Sequence, residues 1–120
     1  MTMSITIYHN PRCSKSRKTL EIIREHGHEP DIVEYLKTPP SADEILALRE
    51  KLGIPLKGML RLKEAEYREA DDLPQTDDDA GMAAWLSSHI GVLERPIVVS
   101  DDGRAVIGRP PENVLELLAS

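Results

Sequence analysis

The chain has 120 residues, a length that fits one compact domain with a genuine hydrophobic core. Fifteen Lys and Arg face 21 Asp and Glu, a net charge of −6, and no polybasic block is present, so nucleic acid is not expected as the principal ligand. No run approaches the ~18 consecutive apolar residues of a membrane span, and Met1-Thr2-Met3-Ser4 lacks both the basic and the apolar region of a secretory signal, so a soluble, cytoplasmic protein without a membrane partner is expected.

The segment Ile5-Thr6-Ile7-Tyr8 alternates, is rich in β-branched residues and stops at the turn-forming His9-Asn10-Pro11, which predicts a short first strand. From Ser14 or Ser16 the pattern turns helical, with Leu20 and Ile23 three apart and Gly27 as a stop, so Cys13 falls at or just before a helix N-terminus. Asp31-Ile32-Val33-Glu34-Tyr35 reads as a second strand, parallel to the first across that helix. Ser41 with Glu44 three residues later is a capping box opening a helix that turns Ile45, Leu48 and Leu52 inward and ends at Gly53.

Residues 54 to 88 show only helical or irregular pattern, including a helix with Thr76 as N-cap and Met82, Trp85 and Leu86 on one face. Eight acidic side chains against one base, Arg68, between residues 64 and 79 read as a solvated face plus helix N-terminal charge. Pro96-Ile97-Val98-Val99-Ser100 and Arg104-Ala105-Val106-Ile107-Gly108 flank Asp101-Asp102-Gly103, a type I′ hairpin signal, and should pair antiparallel. Pro110-Pro111-Glu112 opens a last helix with Val114, Leu115 and Leu118 on its buried side. The string βαβ, helical insertion, ββα predicts an α/β fold with a thioredoxin-like mixed four-stranded sheet. It forms a single domain over residues 1–120, with the helical insertion at about 41–90.

Chemistry concentrates near the N-terminus. Arg12, Lys15, Arg17 and Lys18 share the first 20 residues with no acid, while the remaining 11 bases face all 21 acids. Cys13 lies inside this basic stretch, where cations and helix N–H groups favour a thiolate and would also hold an oxyanion. A lone cysteine is more often a small buried apolar residue, but a loop position among four cations argues against burial. As the chain's single cysteine it excludes an intramolecular disulfide and a multi-thiolate zinc site, so redox work here requires a thiol from another molecule. His26 and His28 sit around a helix end and His89 stands alone, so they read as surface histidines and no metal is expected. A two-residue turn at Asp102-Gly103 places Arg95 and Arg109 on opposite strands one residue out of register, close enough for both guanidinium groups to meet one small ligand. With the third strand antiparallel to the first, Arg95 faces the Cys13 loop and Pro96 is a candidate cis-proline.

Tyr8-His9-Asn10-Pro11-Arg12-Cys13-Ser14-Lys15-Ser16-Arg17 resembles the active loop of the glutaredoxin-dependent ArsC-type arsenate reductases, as do Glu94-Arg95-Pro96-Ile97-Val98-Val99 and Gly108-Arg109-Pro110. The likeness runs from the first strand to the last helix and is to a short form of the family. It implies that Cys13 is the nucleophile, that His9 supports it, and that Ser16 and Arg17 belong to the same catalytic loop. It further implies that Arg61, in the step Met59-Leu60-Arg61, joins Arg95 and Arg109 in binding the oxyanion. The implied reaction is reduction of arsenate to arsenite, with glutathione as co-substrate, glutaredoxin as partner and no bound cofactor.

A phosphatase-like arsenate reductase with a Cys-x5-Arg loop is excluded, because the sixth residue after Cys13 is Thr19. Two alternatives stay open. A general glutathione-dependent thiol–disulfide oxidoreductase suits the monothiol Cys13-Ser14-Lys15-Ser16, although Arg95 is surplus to it. A non-catalytic, Spx-like regulator that binds RNA polymerase is disfavoured by Ser16, where many such proteins carry a second cysteine.

Overall fold

Alternation at the start of the chain sets up the sheet. In the computed structural model, which describes residues 4–75 and 77–118, β1 (Ile5–His9) buries Ile5, Ile7 and His9 on one face. The helix α1 (Ser14–Glu25) crosses to β2 (Asp31–Glu34), which pairs parallel to β1 with Thr6 opposite Asp31 and His9 opposite Glu34. β3 (Ile97–Ser100) runs antiparallel on the other side of β1, with Tyr8 opposite Ile97, and β4 (Ala105–Ile107) completes the order β2-β1-β3-β4. This is the mixed, thioredoxin-like sheet that the element string predicts. The chain divides into two compact units, one of residues 1–38 with 95–120, the other of residues 39–94.

The first unit has an aliphatic core of Ile5 and Ile7 from β1, Ile22 and Ile23 from α1, Val98 from β3, and Val114 and Leu117 near the C-terminus. Burying each such side chain is worth about 1.5–3 kcal/mol relative to leaving it in water. Helical spacing puts Ser16, Thr19, Ile22 and Ile23 on the buried face of α1, which ends at His26 with Gly27 at φ +83°.

Two expectations here need correction. The hairpin does not turn in two residues. Val99 pairs with Ala105, and the Ser100 N–H donates to the Arg104 carbonyl at 2.9 Å, so the loop is Asp101-Asp102-Gly103. The Asp102 carboxylate accepts from the Ser100 hydroxyl, from the Arg104 N–H at 3.2 Å and from Arg104 Nε at 2.8 Å, while Gly103 at φ +91° takes the left-handed step of a three-residue turn. The C-terminal segment also starts differently. Pro111–Val114 forms a 3-10 turn before α5 (Leu115–Leu118), and three-residue spacing then buries Val114 and Leu117 and leaves Leu115 37% exposed.

In the second unit, α2 (Ala42–Leu52) carries both halves of the Ser41–Glu44 capping box and closes on Gly53 at φ +67°. Leu56–Met59 forms a 3-10 turn, followed by the single-turn α3 (Ala65–Arg68), by α4 (Asp79–Ser88) and by a second 3-10 turn at Ile90–Val92. Thr76 lies outside the described residues. The side chain that caps α4 is Asp78, which accepts the Gly81 N–H at 2.9 Å. Met82, Trp85 and Leu86 are buried as expected. Within the acidic stretch Asp72 accepts the Trp85 indole N–H at 2.9 Å and Asp79 pairs with Arg49 at 3.5 Å. His89 is no isolated surface residue, since its ring stacks on Trp85 at 4.2 Å. Among the described residues no helix is long and apolar enough to cross a membrane.

Candidate active site

The period of β1 places His9 on the same face as Ile5 and Ile7, at the strand end that meets the first turn of α1. There the buried Ser16 hydroxyl lies 2.6 Å from His9 Nδ1 and accepts the Asn10 N–H at 3.1 Å. In the neutral Nε2–H tautomer the hydroxyl donates to Nδ1 while its oxygen accepts from Asn10. Burial pushes the His9 pKa down, against the attraction of Glu34, and so favours the neutral ring.

The loop that follows is wound on Asn10. Its carbonyl accepts the Cys13 N–H and its side-chain oxygen the Arg12 N–H, both at 3.0 Å. Arg17 reaches back to the Pro11 carbonyl at 3.2 Å, and Thr19 donates its hydroxyl to the Lys15 carbonyl at 2.8 Å. Cys13 is thereby the N-cap of α1, partly buried, with the open N–H groups of the first turn around its sulfur.

The three-residue hairpin loop brings Arg95 and Arg109 directly opposite each other rather than one residue apart. The Gly108 N–H donates to the Pro96 carbonyl at 2.9 Å, and one step further out Arg109 Nε donates to the Arg95 carbonyl at 3.1 Å. Arg109 Nη2 stands 4.0 Å from Cys13 Sγ, and the Arg95 guanidinium lies close enough to help stabilise the thiolate. The Arg95-Pro96 bond is cis, and so is Arg109-Pro110. Burial raises the Cys13 pKa, but the Ser16 N–H, the Arg95 guanidinium and the Lys15 N–H outweigh it and hold the thiol below its ordinary value. These dominant influences are backbone and Arg95, not the sequence-local cations, whose side chains are exposed; Lys18, for example, pairs with Glu21 at 3.6 Å.

The first unit thus brings together Cys13, His9, Ser16, Arg17, Arg95 and Arg109. Arg61 belongs to the second unit, where Glu64 engages its guanidinium and Glu94 lies 4.0 Å from Nε. Two residues went unnoticed as site components in the sequence. Asn10 was read only as a turn former, although its Asx geometry organises the whole loop. Tyr35 was read as the end of a strand, yet it is fully buried and its hydroxyl has Asn10 and Arg95 as neighbours.

A partly buried thiol at a helix N-terminus with two guanidinium groups beside it is an arrangement that favours a thiolate and suits a small anion. Sheet order, crossover helix and N-capping cysteine define a thioredoxin-like domain. The sequence model of the ArsC family matches residues 8–117, and the chain belongs to that family. It is 44% identical over 116 residues to an arsenate reductase of Neisseria meningitidis, covering 95% of this chain and 97% of the relative. It is 42% identical to an arsenate reductase of Escherichia coli, covering 96% of this chain and 81% of that protein. A solved arsenate reductase from Vibrio cholerae superposes with a TM-score of 0.86 at 44% identity, over 97% of this chain and 98% of the other.

Proposed function

We propose that this protein reduces arsenate to arsenite at Cys13, with electrons from glutathione and glutaredoxin. The observation that carries the reading is the meeting of Arg95 and Arg109 on the Cys13 sulfur at the start of α1. Arsenate is tetrahedral and largely dianionic near neutral pH, and each charge-assisted hydrogen bond to it contributes about 1.5–3 kcal/mol. The names of the close relatives support this substrate. His9, Ser16 and Arg17 act by holding the loop, and Arg61 enters by resemblance alone.

In this mechanism the Cys13 thiolate attacks As(V), water leaves with an oxygen of the anion, and an S–As bond forms. A glutathione thiolate then attacks the Cys13 sulfur. The new S–S bond takes both sulfurs to the disulfide level, and the S–As bonding pair departs with arsenic, which becomes As(III). Glutaredoxin clears the glutathione from Cys13 by thiol–disulfide exchange. The second thiol must be exogenous because the chain has a single cysteine. A reducing compartment such as the cytoplasm supplies these thiols.

The test is arsenite formation from arsenate, glutathione and glutaredoxin, run beside a small disulfide substrate. Cys13→Ser is expected to abolish arsenite, and wild type without glutaredoxin to gain one glutathione at Cys13 by intact mass. Reduction of the disulfide with no arsenite would replace this reading by the thiol–disulfide oxidoreductase. Neither activity, with a binding partner retained by Cys13→Ser, would replace it by the regulator.

A further inference from the structure

Tyr35 follows β2 and is 0% exposed, and its hydroxyl oxygen is buried. Among the described residues it is the buried hydroxyl left without a hydrogen-bond partner. Folded proteins rarely leave such a group unmade, since burial strips its water and returns nothing. A phenylalanine would fill the same space without that cost. The hydroxyl is not adrift in the core, however. Its polar neighbours are the Asn10 amide and the Arg95 guanidinium, and Cys13 is near enough to interact electrostatically.

The register explains this placement. His9 pairs with Glu34, so the residues that follow on the two parallel strands, Asn10 and Tyr35, leave the sheet side by side at the end where Arg95 enters β3. We propose that Tyr35 is a positioning residue that acts through Arg95. When an anion draws the guanidinium inward, the phenol oxygen accepts an Arg95 N–H and the phenol proton passes its hydrogen bond to Asn10 Oδ1. That carbonyl oxygen already accepts the Arg12 N–H and has a second lone pair free for the purpose. The chain of bonds fixes the plane in which Arg95 meets both the Cys13 sulfur and a bound oxyanion. Burial also raises the Tyr35 pKa, against the opposing pull of Arg95, so the phenol keeps its proton at neutral pH. The charged groups acting on the thiolate and the His9 ring from neighbouring elements are Arg95, Arg109, Arg17, Arg24 and Glu34. The oxyanion arm of the proposal rests on the arsenate reading; the thiol arm does not.

The experiment uses full-length Tyr35→Phe with three readouts: thermal melting, the pH midpoint of Cys13 alkylation by iodoacetamide, and protection of Cys13 from alkylation by inorganic arsenate. A functional hydroxyl predicts a melting temperature equal to or above wild type, a raised alkylation midpoint, and an arsenate half-protection concentration about two- to tenfold higher. A lower melting temperature with an unchanged midpoint and unchanged protection would make the hydroxyl structural and overturn the proposal. Arg95→Lys supplies the coupling test. If Tyr35 works through Arg95, adding Tyr35→Phe to that variant changes the midpoint no further, whereas an undiminished effect sinks the proposed route. Wild type that arsenate does not protect would count against the arsenate reading, and the midpoint would still decide on Tyr35.

Discussion

The N–H groups of Ser16 and Lys15 and the Arg95 guanidinium are the main influences that lower the Cys13 pKa, and this set makes an unequal prediction for the basic residues nearby. The alkylation midpoint of Cys13 should lie clearly below the ~8.5 of a free cysteine. Arg95→Lys should raise it more than Arg17→Ala, because Arg17 is exposed, screened and turned to the Pro11 carbonyl. On one shared anion, Arg95→Lys and Arg109→Lys should cost less together than the sum of the two alone. His9 gives the pH prediction. Its folded pKa is depressed, so its contribution to stability is full above the unfolded value of ~6.5 and is lost as pH falls through the folded value. Denaturation midpoints measured down that range should fall for wild type and flatten for His9→Gln. Cys13, Arg95 and Arg109 were legible as a site because chemistry, helix position and hairpin symmetry agreed on them. The source of the thiolate's stability was not, since closeness in sequence to Arg12, Lys15 and Lys18 says nothing about where those side chains point.

At the scale of elements, hydrophobic period and turn chemistry predicted all four strands, the helix after Cys13 and the capped helix at Ser41. What they missed were choices between nearly equal local solutions. Asp-Gly suits a two-residue turn, but Ser100 and Arg104 give Asp102 three more donors, and the longer loop wins. Likewise the paired prolines favour a 3-10 start that rotates Leu115 outward. Gly108 shows how closely these elements fit. A Cβ there would lie 2.6 Å from the Thr19 hydroxyl oxygen and 2.9 Å from Pro96 Cγ, between α1 and the hairpin. Gly108→Ala should therefore destabilise by about 1–3 kcal/mol in urea unfolding and also slow alkylation of Cys13 at neutral pH, since both neighbours belong to elements that hold the site.

For the whole molecule, the division into units follows from the chain path. Thr38 leaves β2's side of the first unit and Arg95 re-enters it, with residues 39–94 forming the other unit in between. The sequence signalled a helical segment there by its lack of strand pattern, although composition alone did not reveal that it forms a compact body of its own.

That path has a consequence during synthesis. Cys13 and Arg109 are separated by 96 residues, so at ~5–20 residues per second the cysteine leaves the ribosome roughly 5–20 s before Arg109. Until β3 arrives to pair with β1, the thiol lacks the Arg95 and Arg109 guanidinium groups and has only the N–H groups of α1 to favour its anion. Nascent chains arrested at Glu94 should alkylate with a higher midpoint than chains arrested with Arg109 fully emerged, because they lack both arginines. The part of the thiol's reactivity that the two arginines supply therefore depends on completion of the chain's last quarter.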